Sequence, residues 1–324
     1  MRRNFISYVG LGLKGMAMGA ADVVPGVSGG TIAFISGIYE EFIQTIDQLD
    51  FDVFKTWRQS GFKNMFKTYN LGFLLALFIG MFLSFLSFAK LTEYLLRAHP
   101  ILIWSFFFGL VVASTIYIGR QIKTWSITKV ISLILGCAIA YYITIAEPQA
   151  TPSSWYFILF SGFIAIIAMI LPGISGSFIL ILLGSYTVML GTFNDFIEAV
   201  LSQDFDLLKV SLFRIVLFII GCIVGLKLFS KGLKWMFAHR KELTLSLLTG
   251  FMIGSLNKIW PWKEILTTRV NRHGEEVPLL EKSILPGSYE GDSQLVYALI
   301  LGVLGFAVIF ILERLSKTKT IHAD

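Results

Sequence analysis

Apolar residues along this chain gather into runs of about 20, the length needed to cross a bilayer as a helix. Six runs read as membrane-crossing helices: 71–89, 100–118, 129–146, 210–229, 243–260 and 295–313. The fifth is the weakest, because Asn257 and Lys258 crowd its end. Two further apolar regions, 5–46 and 155–190, are each split by a knot of Pro, Gly and Ser. Their halves are about 14–20 residues long, marginal for crossing. The pattern predicts two hairpins that enter the membrane and return to the same side. Such non-helical backbone is tolerated at membrane depth only where protein or water surrounds it. The 261–294 segment is the one long polar connection, with Pro, Gly and both charge signs, and reads as an outside loop. Nothing in it suggests a second folded domain.

The two knots are copies. Residues 25–39 and 172–186 match at seven of fifteen positions without a gap, from Pro25-Gly26-Val27-Ser28-Gly29-Gly30 and Pro172-Gly173-Ile174-Ser175-Gly176-Ser177 through to Tyr39 and Tyr186. Asp50-Phe51-Asp52 returns as Asp204-Phe205-Asp206. Gly80, Lys90, Gly109 and Ser114 match Gly221, Lys231, Gly250 and Ser255 at a constant offset of 141. The chain therefore divides into a first repeat, 1–146, a second, 155–313, and a tail, 314–324. Broken apolar segments at matching places in two halves mark the binding site of a transporter.

Composition excludes a soluble domain. Mean hydropathy is +0.74, and 15% of residues are charged against about 25% in soluble domains. The net charge of +6 is then a topology signal rather than a nucleic-acid signal. With an inside N-terminus and two re-entrant hairpins, the inside segments are the N-terminus, 47–70, 119–129, 227–242 and 314–324. With Lys14 they hold 18 of the 27 Lys and Arg residues. The outside 191–209 segment sets Asp195, Glu198, Asp204 and Asp206 against Lys209. Three crossings per repeat is an odd number, so the second repeat is inserted upside down. The fold class expected is an all-α polytopic membrane protein: an inverted repeat with six transmembrane helices and two re-entrant hairpins. Cys137 and Cys222 lie in apolar runs and read as packing residues. The run after Arg2 and Arg3 is interrupted by Lys14 and Asp22, unlike a cleaved leader.

The knots carry the candidate chemistry. Proline interrupts the helical ladder and glycine permits close backbone approach. Ser28 or Gly29 is expected to start a half-helix through Thr31 to about Thr45, and Ser175 or Gly176 its partner. A helix N-terminus presents unpaired N–H groups and partial positive charge to an anion. The hydroxyls of Ser28, Thr31, Ser175 and Ser177 add donors. The plainer alternative is that both knots are only kinks for close packing. Charges in apolar stretches are functional candidates. Asp22, opposite Met169 in the second repeat, and Glu40, opposite Thr187, are candidates for a coupling proton. Glu40 and Glu41 equally suit a hairpin end at the interface. Arg214, one turn into the fourth crossing, suits an anionic head or a snorkelling anchor. Lys90 and Lys231 read as anchors at span ends. His99, His239, His273 and His322 are scattered, without metal-site spacing. The knot serines have no base in evident reach, and no P-loop lysine follows the glycines. No cofactor is expected, and these signals point away from an enzyme.

Gly19-Ala20-Ala21-Asp22-Val23-Val24-Pro25-Gly26-Val27-Ser28-Gly29-Gly30-Thr31, followed by Gly37-Ile38-Tyr39-Glu40, resembles the signature of a bacterial and archaeal membrane family. Leu171-Pro172-Gly173-Ile174-Ser175-Gly176-Ser177, with Gly184 and Tyr186, resembles its second motif. The family is that of polyprenyl-phosphate transporters of the PopT type, earlier catalogued as domain of unknown function family 368. The resemblance covers nearly the whole chain and is thinnest over 261–294. It implies undecaprenyl phosphate as substrate, returned from the outer to the inner leaflet of a bacterial cytoplasmic membrane for cell-envelope synthesis. The knot residues Pro25, Gly26, Ser28, Gly29, Gly30, Thr31, Pro172, Gly173, Ser175, Gly176 and Ser177, read above as an anion site, suit the phosphate head of that lipid. The expected partners are this lipid, the surrounding membrane lipids and a proton or Na⁺, with no nucleic acid. Two other readings stay open on the residues alone: a transporter or channel for a small soluble anion, and a membrane enzyme acting on lipid phosphate.

Overall fold

The computed structural model describes residues 4–23, 28–50, 52–148, 154–270 and 276–321. The apolar runs are helices. The first hairpin region contains α1 (Phe5–Val23), α2 (Gly29–Ile35) and α3 (Tyr39–Gln48). After it come α4 (Asp52–Thr68), α5 (Leu71–Ala98), α6 (Pro100–Gly119) and α7 (Ile127–Ile145). The second hairpin region repeats the motif as α8 (Trp155–Ile170), α9 (Gly176–Leu182) and α10 (Ser185–Ser202). Then follow α11 (Phe205–Ser255), strands β1 (Lys263–Val270) and β2 (Glu276–Ser283), and α12 (Leu295–Ile321). Among the described residues α5, α6, α7 and α11 are long and apolar enough to cross a bilayer. The bent pair α9–α10 adds a fifth if counted as one, and α12 is apolar over Leu295–Phe310.

Three elements differ from the sequence expectation. The half-helix from Ser28 does not run to Thr45. It stops at Ile35, because Gly37 takes a left-handed conformation (φ 71). Gly184, its counterpart, does the same (φ 68), and α9 meets α10 at 102°. Positive φ is inexpensive only for glycine, so the repeated glycine fixes the length of both short helices. Second, the crossings expected at 210–229 and 243–260 belong to one helical stretch that turns at Arg240 (φ −140, ψ 45). The intervening 230–242 sequence is rich in lysine, adds Leu233, Met236, Ala238, Arg240 and Glu242 as further good helix formers, and contains no proline. Third, the 261–294 connection is not a plain loop. β1 and β2 pair antiparallel with a bulge around Thr267. The apolar alternation is broken by Ile265-Leu266 and Leu279-Leu280, and Pro278 sits in β2, so the strand signal is weak in sequence.

The chain forms two compact units, Met1–Phe82 with Pro148–Thr244, and Leu83–Glu147 with Leu245–Asp324. In the first, α1 lies on α5 and α8 on α11 through glycine contacts. Gly80 faces the Gly12 carbonyl and Gly221 the Leu159 carbonyl so closely that a methyl group would overlap either oxygen. Gly15 against Leu77 and Gly162 against Phe218 repeat the relation. These are the same pairs of repeat positions. Small residues that let backbones approach are the means of helix packing in lipid.

In the second unit Gly109 of α6 abuts the Gly302 carbonyl of α12, and Gly250 of α11 abuts the Leu133 carbonyl of α7. Gly109 and Gly250 are repeat counterparts, so each copy packs on a crossing of the other. The hairpin is seated on this unit by Ile101, Trp262 and Ala298. Trp260 Nε1 donates to the Ile284 carbonyl (2.8 Å) and Trp262 Nε1 to the Ser293 carbonyl (2.9 Å). Beneath β1, Lys263 lies 4.0 Å from the Trp104 ring centroid. Lys258 and Lys263 share the Glu281 carboxylate, each at 3.4 Å. Burial pulls Lys263 down to about 8, with Glu281 opposing the fall and Lys258 adding to it. Burial alone would raise Glu281, but the two ammonium groups outweigh it and hold the carboxyl below its usual range.

Candidate functional site: two interlocked knots

Both knots lie in the first unit and bond directly to each other. Ser28 caps α2: its Oγ accepts from the Gly30 amide (3.1 Å). The same hydroxyl reaches the carbonyls of Leu171 (3.2 Å) and Met169 (3.3 Å) in the second knot. Gly173, at φ 86, donates its amide to Thr31 Oγ1 (2.9 Å). Tyr39, buried, donates its hydroxyl to the Ile170 carbonyl (3.1 Å). A methyl on Gly30 would stand 2.5 Å from that same carbonyl oxygen, so only glycine lets α2 seat on the end of α8. The last carbonyls of α8 lack partners of their own helix. Ser28 and Tyr39 of the other repeat supply them.

The N-terminal amides of the two short helices are occupied differently. At α2, Gly29 donates to Asp22 Oδ1 at 2.6 Å, and Thr31 donates to the Ser28 carbonyl at 2.9 Å. Asp22 is thus an anion held at the helix start. At the other end of α2, Lys14 Nζ donates to the Ser36 carbonyl at 2.6 Å. Asp22 and Lys14, eight residues apart on α1, span about 12 Å along that helix, close to the length of α2 with its caps. The anion sits at the positive end of α2 and the cation at the negative end, the favourable arrangement for both. At α9 the counterparts of Asp22 and Lys14 are the uncharged Met169 and Ser161. Met169 packs against Gly176 where Asp22 meets Gly29. Ser161, the counterpart of Lys14, bonds the hydroxyl of Ser185 at the start of α10 (2.6 Å). Ser175 caps without a side-chain bond to the backbone, its Oγ 2.9 Å from Ser177 Oγ. Among the described residues the amides of Gly176 and Ser177 meet no acceptor, and Ser177 is exposed.

Pro25 and Gly26 lie outside the described residues. Pro172 is buried between α8 and α9. Ser28, Gly29, Gly30, Thr31, Gly173, Ser175, Gly176 and Ser177 come together as described. Glu40 does not join them: it pairs with Lys241 (2.6 Å). Arg214 lines a groove with Trp155 and Ile158 at the start of α8. From Ile158 to Leu171 the helix rises about 20 Å, so Arg214 stands at the far end of α8 from the knot.

Tyr39 and Lys14 are the residues that sequence reasoning passed over. Tyr39 was visible only as a repeated position, and Lys14 only as a charge in an apolar run. Three lysines at seven-residue spacing on α11 also tie down α3. Lys227 donates to the Ile46 and Asp47 carbonyls, Lys234 pairs with Asp47 (2.7 Å) and Lys241 with Glu40. They belong to the basic 227–242 segment.

Residues 18–277 match the family model described as undecaprenyl phosphate translocase-like. The chain is similar to the polyprenyl-phosphate transporter of Vibrio cholerae, with 44% identity over 98% of this chain and 100% of that protein. It is also similar to the polyprenyl-phosphate transporter of Staphylococcus aureus, with 36% identity over 77% of this chain and 85% of that protein. No solved structure matches.

Proposed function

Because the chain belongs to the undecaprenyl phosphate translocase-like family, we propose that it carries undecaprenyl phosphate between the leaflets of the bacterial cytoplasmic membrane, with the phosphate seated at the interlocked knots. The carrying observation is the direct bonding of the knots, Ser28 to Leu171 and Thr31 to Gly173. It holds the second knot so that the hydroxyls of Ser175 and Ser177 lie at the start of α9 with the amides of Gly176 and Ser177, while Ser28 and Thr31 lock that knot in place. Pro25 and Gly26 continue the same motif. The polyprenyl tail stays in lipid while the head changes side.

The termini are cytoplasmic and the second repeat is inverted. The reciprocal packing of α6 on α12 and α11 on α7 supports a two-fold relation between repeats, since a two-fold axis generates each contact twice.

Coupling follows from charge. A phosphomonoester carries about −1.5 to −2 charges at neutral pH. Moving each charge against an inside-negative potential costs about 2.3 kcal/mol per 100 mV. Inward transfer therefore needs accompanying cations, protons or Na⁺. Asp22 is the proton carrier of choice. A proton on its carboxylate weakens the hold on the Gly29 amide and removes an anion from beside the phosphate, so proton uptake and phosphate binding favour each other. Glu40, ion-paired with Lys241, serves as an anchor.

Native mass spectrometry with undecaprenyl phosphate tests the seat. Lipid retained by the wild type and lost in Ser28→Ala/Ser175→Ala is expected. Retention indifferent to both changes would move the phosphate elsewhere. Transport into proteoliposomes that ignores the pH gradient, Na⁺ and the potential would overturn the coupling. Phosphate release from labelled lipid would mark an enzyme instead.

A further inference from the structure

A second basic place lies about 20 Å along α8 from the knots. The N-terminal ends of α8 and α11 enclose a groove of about 260 Å³, lined by Trp155, Ile158, Lys209, Val210, Phe213 and Arg214. On α11 the four residues fall at i, i+1, i+4 and i+5, one face of a helix. Ile158 is the buried floor, while Trp155 and Phe213 are 60% and 57% exposed on the walls. The walls are thus those of an interfacial lipid contact, with an aromatic whose polar edge suits the head-group level.

The two cations give the groove its chemistry. Arg214 is half-buried in an apolar helix, and among the described residues it meets no carboxylate and no hydrogen-bond acceptor. A guanidinium in such surroundings is costly unless an anion answers it. Lys209 touches Asp206 at 3.5 Å, but the side chains are 78% and 97% exposed. An ion pair that open to water binds weakly and yields readily to a stronger anion. Arginine offers a planar fork that matches a phosphate bidentately, and lysine adds a mobile point charge. Val210, Phe213 and Ile158 continue from the cations as an apolar track for a chain attached to the head.

We propose that this groove is a docking station for a lipid phosphomonoester, in which Arg214 and Lys209 hold the phosphate of the polyprenyl lipid before the head passes along α8 to the knots. It rests on the transport reading for the identity of the lipid. It opens on the side of the 191–209 segment, the outside in that reading.

The test uses full-length protein in nanodiscs and an undecaprenyl phosphate analogue with a photoactivatable group near the phosphate. Labelling is expected within 155–158 and 209–214. Unlabelled undecaprenyl phosphate should compete it away, and Lys209→Gln/Arg214→Gln should lower it tenfold or more. Arg214→Lys, which keeps the charge and loses the fork, should fall between. In proteoliposomes the double variant should need about tenfold more lipid for half-maximal rate, with the maximal rate within about twofold of wild type. Equal competition by phosphatidylglycerol or by polyprenol lacking phosphate would overturn the station, as would labelling unchanged in the double variant. Equal competition by inorganic phosphate would overturn the lipid in favour of a soluble anion. Wild-type protein that labels in the groove yet moves no lipid would overturn the transport reading while supporting the groove.

Discussion

Asp22→Asn separates two roles that a single carboxylate could fill. The wild-type carboxylate accepts from the Gly29 amide at 2.6 Å, a charge-assisted bond at a helix start. Such bonds are worth about 1.5–3 kcal/mol, against about 0.5–1.5 for a neutral one. Asparagine keeps the shape and an acceptor oxygen, so the substitution weakens the cap by about 1–1.5 kcal/mol. If the phosphate must displace Asp22 from that amide, the weaker competitor makes displacement easier by the same amount. Undecaprenyl phosphate should then bind about 5–12-fold more tightly to Asp22→Asn, at 1.4 kcal/mol per decade. Transport should fall and lose its response to a proton gradient, because the amide side chain carries no proton across. Titration of lipid into protein in nanodiscs reads the first effect, and uptake into proteoliposomes the second. A melting curve checks the fold, since loss of a cap costs about 0.5–2 kcal/mol. Weaker or unchanged binding by a folded Asp22→Asn protein would refute the idea that Asp22 occupies the place of the phosphate. Tighter binding with undiminished, gradient-driven transport would refute its role in coupling.

Gly80→Ala and Gly221→Ala should each destabilise by about 1–3 kcal/mol, the usual cost of overpacking, because their methyl groups would overlap the Gly12 and Leu159 carbonyls. Gly232→Ala, with open space at its Cβ, should stabilise by up to about 1 kcal/mol through helix propensity; thermal melts of the three compare them, and equal behaviour would refute the packing account. Lys263, with its pKa drawn down to about 8 from 10.5, binds its proton more weakly folded than unfolded. Stability is therefore penalised below pH 8 and rises as pH climbs from 8 toward 10.5. Lys263→Met should flatten that rise and raise the melting temperature at pH 7, since Lys258 still answers Glu281; a lower melting temperature at pH 7 would count against it. Glu40→Gln breaks a half-exposed pair with Lys241 and should change stability by less than about 1 kcal/mol. Transport by that variant should keep its response to a proton gradient, and loss of the response would return Glu40 to the coupling path.

The parts legible in sequence are those written in runs and in repeats. Uninterrupted apolar stretches announce α5, α6 and α7, and the copied Pro-Gly-x-Ser-Gly announces that α1–α2 and α8–α9 share one geometry. The constant offset from Gly80 to Gly221 announces equivalent helix contacts. What escaped is written in neither way. Tyr39 does its work across 131 residues, on the Ile170 carbonyl, and no local pattern encodes a tertiary partner. The brevity of α2 hinges on Gly37, which reads in sequence as one more glycine in an apolar run. The β-hairpin lacks clean alternation because Lys263 and Glu281 point into protein, paired with each other, where a simple pattern expects apolar residues. Arg214 was visible as a charge in a crossing, but its neighbours Trp155 and Lys209 come from a distant helix and an adjacent turn.

The bracketing of α2 by Lys14 and Asp22 also bears on how the chain enters its membrane. Alone at the centre of a bilayer, each charge would oppose insertion by about 2.5–3.5 kcal/mol. Their answering groups, the Ser36 carbonyl and the Gly29 amide, lie within 22 and 7 residues, so they leave the ribosome almost together with the charges they neutralise. α1 and α2 are therefore built to partition as one piece, with Lys14 and Asp22 already matched while α8 is still more than a hundred residues from being synthesised.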